Sequence, residues 1–247
     1  MTAPVAASLR TSISIDLACQ ARHGPRVTFD RLFLWRDPVP RPGPENMAVD
    51  DWLLETAGDP VLRIYEWQGD WVSLGYFAKI RDARGMMRNG EAGLVRRATG
   101  GGIADHRVDR TYSLVVPRRQ GLAELQRVLS YRVIHEALAQ AMKAFGVAAR
   151  LIAEDQEGDS AACFEQAVAW DIVDAAGRKL AGAGQRRTRR GLLHQGSVVL
   201  PGQPGGLFGA HAARLASKVE TIHREPSREE LAARIEKFAN PAWLERW

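Results

Sequence analysis

Short apolar runs punctuated by turn residues alternate along this chain with stretches of helical periodicity. Leu32 to Trp35 predicts a strand, and Pro38, Pro40, Pro42 and Pro44 then enforce an extended loop, since each fixes φ and lacks a donor. Glu45 to Thr56 predicts a helix, with Asn46 as a cap and Met47, Val49, Leu53 and Leu54 on one face. Val61–Trp67 and Trp71–Tyr76, flanking Gln68-Gly69-Asp70, carry the signal of a hairpin. Leu94-Val95 and Tyr112 to Val116 predict two further strands around a polar, glycine-rich stretch. Leu122 to Phe145 predicts a long helix with a stripe of Leu125, Val128, Leu129, Val133, Leu138, Met142 and Phe145, closed by Gly146. His135 on that helix is expected to be structural. Beyond an acidic loop at Glu154 to Ser160, Val168–Val173 and Arg178–Ala183 predict paired strands around Asp174–Gly177. A basic loop, Arg186 to Arg190, a strand from Leu192 to Leu200, and helices near Ala210–Val219 and Arg228–Phe238 follow.

Hairpins mixed with separate helices indicate an α+β fold with mixed and antiparallel sheets and flanking helices. Residues 1–28 read as an irregular extension with a short strand near Ile13 to Leu17, and residues 29–247 as one catalytic domain. The chain's 247 residues are 45% hydrophobic and 26% charged, an ordinary globular composition with no run long enough for a membrane span. The net charge of +5 favours acidic partners, but the arginines are spread along the chain, which does not indicate nucleic acid. Cys19 and Cys163 make neither a disulfide framework nor a metal set with the six scattered histidines, so no metal and a cytoplasmic location are expected.

The chemistry concentrates between Leu94 and Val116, LVRRATGGGIADHRVDRTYSLVV. Arg96 and Arg97 supply fixed positive charge, and Thr99, Gly100, Gly101 and Gly102 let backbone approach a ligand closely. Such a loop is a cradle for an anion or polarised carbonyl, or a plain glycine turn with solvated arginines. It contains neither GxxxxGK[ST] nor GxGxxG between strand and helix.

RRATGGGIADH followed by TYSL resembles the RR-[ST]-GG-x-x-x-x-H…TYS signature of the lipoate–protein ligase A family, which includes lipoate ligases and cysteine-dependent octanoyltransferases. ENMAVDDWLLE, LRIYEW, VSLGYF, GRKLAGAGQ and HQGS are similar to further strings of that family, covering roughly residues 30–200. The resemblance implies the biotin/lipoate protein ligase-like catalytic fold. It implies an acyl pocket walled by Gly75 and Tyr76, wrapped by Arg96 to Ala104 (with Ile103) and His106, and completed by Ala181, Gly182 and Gly196. Lys179, which by itself would read as a solvated surface lysine, takes the place of the lysine that contacts the acyl carbonyl. Two departures stand out: Arg107 follows His106 where the family carries Asp, and Gly184 replaces Ala.

SAACFEQAVAWDIV places Cys163 where the single-domain octanoyltransferases carry their nucleophile. A lone cysteine is most often an inert small hydrophobe, the reading given to Cys19. The resemblance implies for Cys163 that its thiolate, favoured by a nearby Lys179, attacks an activated thioester without ATP. The expected activity is therefore octanoyl transfer from acyl carrier protein, through Cys163, to a lysine of a lipoyl domain or of the glycine-cleavage H protein, with no cofactor. The alternatives are an ATP- and Mg²⁺-dependent lipoate ligase, with Arg96, Gly101, Gly102 and Lys179 around an adenylate, and a non-catalytic lipoyl-domain-binding protein.

Overall fold

The computed structural model describes residues 28–87, 92–153, 167–200, 202 and 204–247. Both cysteines, the strand expected at Ile13–Leu17 and the acidic loop at Glu154–Ser160 lie outside the described residues. In chain order the elements are β1 (Phe29–Arg36), α1 (Gly43–Thr56), β2 (Val61–Tyr65), β3 (Trp71–Leu74), α2 (Ile80–Met86), β4 (Gly93–Arg96), β5 (Ile103–Asp105) and β6 (Arg110–Pro117). There follow α3 (Gly121–Glu124), α4 (Arg127–Ala144), β7 (Arg150–Leu151), β8 (Ile172–Val173), β9 (Lys179–Arg187), β10 (Gly191–Val198), α5 (Leu207–Leu215), β11 (Ala216–Thr221), α6 (Arg228–Ala239) and α7 (Pro241–Leu244).

An eight-stranded sheet runs β11-β1-β2-β6-β10-β9-β8-β7, and a smaller sheet runs β4-β3-β5. Alternation along β6 decides what each face buries: Tyr112, Leu114 and Val116 face α4 and α5, where they meet Ile134, Leu138, Met142, Phe208 and Leu215. Val115 points the other way, with Trp35, Val61 and Leu193, onto Met47, Val49 and Leu53 of α1 and Leu231 and Phe238 of α6. The α+β expectation is met, with two parallel pairings (β11–β1 and β1–β2) among otherwise antiparallel strands of the large sheet. No helix among the described residues is long and apolar enough to cross a membrane.

Six local expectations need correction. Of Val168–Val173 only Ile172 and Val173 form a strand, and Arg186 and Arg187 continue β9 instead of starting the basic loop. The β2 and β3 strands are not a hairpin: β2 lies between β1 and β6, and β3 lies between β4 and β5 in the other sheet. All five β2 residues are buried, so both its edges are claimed, and the turn only carries the chain from one sheet to the next. The long helix is broken at Leu125, and α4 begins at Arg127. Leu125, Val128, Leu129 and Phe145 are exposed, because the buried face is built from Ile134, Ala137, Leu138, Ala141 and Met142. The helix expected to Val219 stops at Leu215, and Ala216–Thr221 pairs in parallel with β1. Asn46 is no cap, since α1 starts at Gly43; its buried amide nitrogen donates instead to Arg41 O (2.9 Å) and Glu66 O (3.0 Å).

Candidate active site

Register across the large sheet lays out the site's floor. Gly182 of β9 lies opposite Ser197 of β10, Ser197 opposite Thr111 of β6, and Thr111 opposite Tyr65 of β2. Three strand spacings make this row about 14 Å long. A narrow, largely apolar cavity is lined by these four residues and by Trp67, Arg97, Ala104, His106, Lys179, Ala183, Gly184, Gln195 and Gly196. Gly182 is small for a visible reason: a Cβ there would run into the Lys179 side chain. The Lys179 side chain is only 4% exposed and its Nζ stands 2.6 Å from Asp171 Oδ2.

Asp171 was not singled out from the sequence, and it anchors this end of the cavity. It also accepts from Tyr131 Oη (2.5 Å) and from the Val168 backbone N–H (2.9 Å), while Tyr131 Oη accepts from the Ala183 N–H (2.9 Å). Trp170, immediately before it, holds a left-handed backbone at φ 72°. Its N–H donates to Ile152 O (2.8 Å) and its carbonyl accepts from His135 Nδ1 (2.7 Å). Strain of this kind outside glycine persists only where surroundings over-determine it. Burial of the Tyr131 phenol, then the Asp171 charge, raises its pKa well above the ordinary value, so it stays a donor.

The opposite end is closed by aromatic rings. Trp67 stacks on His106 with centroids 4.0 Å apart and 16° between planes, and its Nε1 donates to Thr111 Oγ1 (2.8 Å). His106 Nδ1 lies 2.8 Å from Asp109 Oδ2, and its Nε2 lies 2.6 Å from Ser73 Oγ. Arg97 Nη1 donates to Ser73 Oγ (2.5 Å), which leaves the serine hydroxyl able to donate to His106 Nε2. Asp109 thus supplies a carboxylate beside His106, while Arg107 turns outward onto Asp105 (2.6 Å).

The glycine loop roofs the cavity. Gly101 has φ +93°, a left-handed conformation. The Tyr76 N–H donates to Thr99 O (2.8 Å) and the Gly75 N–H to Gly102 O (2.9 Å). Arg97 Nη2 grips Gly100 O (3.3 Å) and Gly102 O (3.0 Å). Thr99 Oγ1 donates to Gln195 Oε1 (2.7 Å), whose amide nitrogen donates to Asp50 Oδ2 (2.7 Å). The Gly100 N–H is turned to Gln185 O (3.4 Å) rather than inward, unlike the inward-facing amides expected of a cradle. A Cβ on Gly75 would fall inside the radius of Gly101 O, and one on Gly184 inside that of Gly100 O. The loop occupies the room that alanine at 184 would need. Gly75→Ala or Gly184→Ala is therefore expected to push the loop off its seat, cutting the activity of the site at least tenfold while far-ultraviolet circular dichroism stays unchanged. Full activity in both variants would show that the loop's seating is unimportant.

Of the residues singled out from sequence, Arg97, Ala104, His106, Lys179, Gly182 and Gly196 line the cavity together. Thr99, Gly100, Gly101, Gly102 and Gly75 build the roof one layer away. Ile103 packs in the small sheet's core and Ala181 in the core beyond the large sheet. Tyr76 joins an aromatic cluster with Phe77, Trp243 and Trp247. Arg96 does not reach the cavity: its guanidinium donates to Gly75 O, Tyr76 O and Ala78 O at 2.7–3.1 Å and to Leu244 O at 2.7 and 2.9 Å. Gln195, Ser197, Thr111 and Asp109 escaped notice because each is an ordinary polar residue in a strand or turn. Among the described residues no cluster of His, Cys, Asp and Glu stands ready to hold a metal ion.

The chain has known relatives. Residues 42–237 match the model of the lipoyl protein ligase A/B catalytic domain. The octanoyltransferase LipM of Symbiobacterium thermophilum is 36% identical over 181 residues, covering 67% of this chain and 65% of the relative, so the chain spans a little under two thirds of that protein. That of an Exiguobacterium species is 32% identical over 195 residues, covering 73% of this chain and 70% of the relative. Among solved structures, a T. acidophilum protein assigned as a lipoate protein ligase, with bound lipoic acid, superposes with a TM-score of 0.68 at 19% identity, covering 89% of this chain and 100% of the other. At that identity the likeness establishes the fold, and the matches in sequence establish the rest: this chain belongs to the lipoyl protein ligase A/B catalytic domain family.

Proposed function

We propose that this chain is an octanoyltransferase of protein lipoylation, taking octanoyl from acyl carrier protein onto Cys163 and passing it to a lysine of a lipoyl domain or of the glycine-cleavage H protein. The observation that carries the reading is the cavity, which runs along a four-strand row from Lys179 to a closed aromatic end. An eight-carbon acyl chain is roughly 9 Å long when extended, at C–C bonds near 1.5 Å. With its carbonyl at Lys179 it spans most of this row of about 14 Å, and the cavity, whose open volume is about 30 Å³, must widen to take it. The LipM relatives add support, since they are octanoyltransferases by name.

The chemistry follows from an activated donor. The Cys163 thiolate attacks the carrier thioester carbonyl, and collapse of the tetrahedral adduct expels the carrier thiolate, which takes up a proton. The acceptor lysine, as a neutral amine, then attacks the enzyme thioester; an amide forms and the Cys163 thiol leaves with the amine's proton. Lys179, paired with Asp171, donates in this reading to the acyl oxygen as negative charge grows there in both steps. No step consumes nucleotide. A ligase reading asks Arg96 to help hold an adenylate, and all three of its guanidinium nitrogens are committed to backbone carbonyls.

Intact-mass measurement tests the proposal. Wild type incubated with octanoyl-acyl carrier protein and no ATP is expected to gain one octanoyl group that hydroxylamine removes. Cys163→Ala is expected to gain none, and Cys19→Ala to behave as wild type. Full activity of Cys163→Ala with lipoate, ATP and Mg²⁺ would replace the transferase reading with the ligase one.

A further inference from the structure

Helix α4 grips two consecutive residues of the chain with two side chains one turn apart. His135 Nδ1 donates to Trp170 O (2.7 Å), and Tyr131, four residues earlier on the same face, donates from Oη to Asp171 Oδ1 (2.5 Å). Their rings lie 4.2 Å apart. The phenol oxygen is itself fixed by the sheet. The ladder between β8 and β9 ends with Ile172 opposite Ala181, and two residues on, the Ala183 N–H donates to Tyr131 Oη (2.9 Å). The two oxygens of Asp171 thus have different tasks. Oδ1 is occupied by the phenol, while Oδ2 takes Lys179 Nζ (2.6 Å) and the Val168 N–H (2.9 Å). Oδ1 also borders the lysine: a Cβ on Gly182, where the Lys179 side chain lies, would come 3.3 Å from it. Without the phenol, Oδ1 would be a buried acceptor beside a cation, and such an oxygen draws a second N–H from the ammonium.

We propose that Tyr131 is a positioning residue for acyl transfer: by occupying Asp171 Oδ1 it keeps the Lys179 ammonium on Oδ2 alone, turned so that it also donates to the acyl oxygen. The inference rests on the acyl-transfer reading of the site, and it adds what orients the lysine. Tyr131 does not line the cavity, so it acts through Asp171. An ammonium clamped by both carboxylate oxygens is turned away from the growing oxyanion and more fully neutralised. Both changes weaken a stabilisation that counts only in the transition state. The expected signature is a loss in kcat with KM nearly unchanged, because the cavity that binds the chain keeps its walls.

The test compares wild type, Tyr131→Phe and a protein carrying a ring-fluorinated tyrosine at position 131, which keeps the bond from Ala183 and makes the phenol a stronger donor. Transfer from octanoyl-acyl carrier protein gives kcat and KM. Nuclear magnetic resonance of ¹⁵N-lysine-labelled protein gives the Lys179 Nζ signal with no acyl group present. That signal stands apart, because among the chain's five lysines Lys179 has the shielded side chain, whereas Lys79, Lys143 and Lys218 are exposed and Lys237 partly so. Tyr131→Phe is expected to lower kcat about tenfold or more, to leave KM within about twofold, and to displace the Nζ signal. The fluorinated protein is expected to displace that signal in the opposite direction. A Nζ signal that neither substitution moves would overturn the assignment of Tyr131, whatever happens to activity. So would an unchanged kcat in a Tyr131→Phe protein that folds as wild type does. If Tyr131→Phe does not fold, the fluorinated protein decides alone, by whether its Nζ signal moves. A Nζ signal that moves in opposite directions while no protein acquires an octanoyl group would instead overturn the transferase reading and leave the coupling of Tyr131 to Lys179 in place.

Discussion

Asp50→Ala is expected to destabilise the fold by about 3–5 kcal/mol, the cost of leaving a buried charge without its partner. Asp50 accepts from Arg63 Nη1 (2.8 Å), Ser113 Oγ (2.7 Å), Gln195 Nε2 (2.7 Å) and Tyr65 Oη (3.3 Å). Arg63, fully buried, also donates from Nε (3.0 Å) and Nη2 (2.8 Å) to Asp37, which pairs with Arg41 at 2.5 Å. Two cations and two anions thus balance inside the protein. Removing one anion strands the Arg63 charge in the interior, and it also cuts loose Gln195, the support of Thr99 in the roof loop. Urea denaturation at neutral pH reads the loss directly. A decrease below about 1 kcal/mol would mean that water or a neighbour takes over the aspartate's place. Asp50→Asn, which keeps the volume, is expected to lose less stability and to lower activity through the roof.

That network also marks where the sequence stops being legible. The glycine loop, the apolar strands and the positions of most helices are written locally, in residues a few places apart. Arg63 sits in the middle of an apolar strand, and its partners Asp37 and Asp50 lie 26 and 13 residues away on a loop and a helix. No local pattern joins them. The hairpin misreading has the same origin, because the turn at Gln68 to Asp70 is written in the sequence and the choice of sheet is not. In α4 the predicted stripe is half right: Leu138 and Met142 are buried, whereas Val128 and Leu129 are exposed and Ile134, Ala137 and Ala141 complete the packed face. Asp171 is legible only once β9 has folded Lys179 over Gly182.

Acidification is expected to have an effect as large as the lost aspartate. His135 and His211 are buried, and burial, the leading cause in each, lowers their pKa values to about 4 and about 3. His194 is pushed down as well, first by burial and then by His135 and His211. In the unfolded chain a histidine takes a proton near pH 6.5, while in the folded chain both stay essentially neutral at pH 5. The unfolded state therefore binds more protons through this window. The stability these groups allow is intact at pH 7 and falls by about 1.4 kcal/mol per pH unit per histidine as pH drops through 6.5. Between pH 7 and pH 5 the pair is expected to remove about 4 kcal/mol. Urea midpoints at pH 7, 6 and 5 measure it, and a midpoint independent of pH over that range would contradict it. The double variant His135→Gln, His211→Gln is expected to flatten the curve.

The parallel pairing of β1 with β11 bears on how the chain reaches this structure. Phe29 meets Ala216, and Leu34 meets Thr221. During synthesis from the N-terminus, β1 and β2 emerge long before β11, so one edge of the growing sheet waits for residue 221 with its amides and carbonyls unpaired. Closing so long a loop is a slow, entropically costly contact, and an open edge is a template for pairing with other chains. The protein is thus most exposed to aggregation on the ribosome, in the interval between β2 and β11, and a chaperone shielding an extended apolar edge would act there.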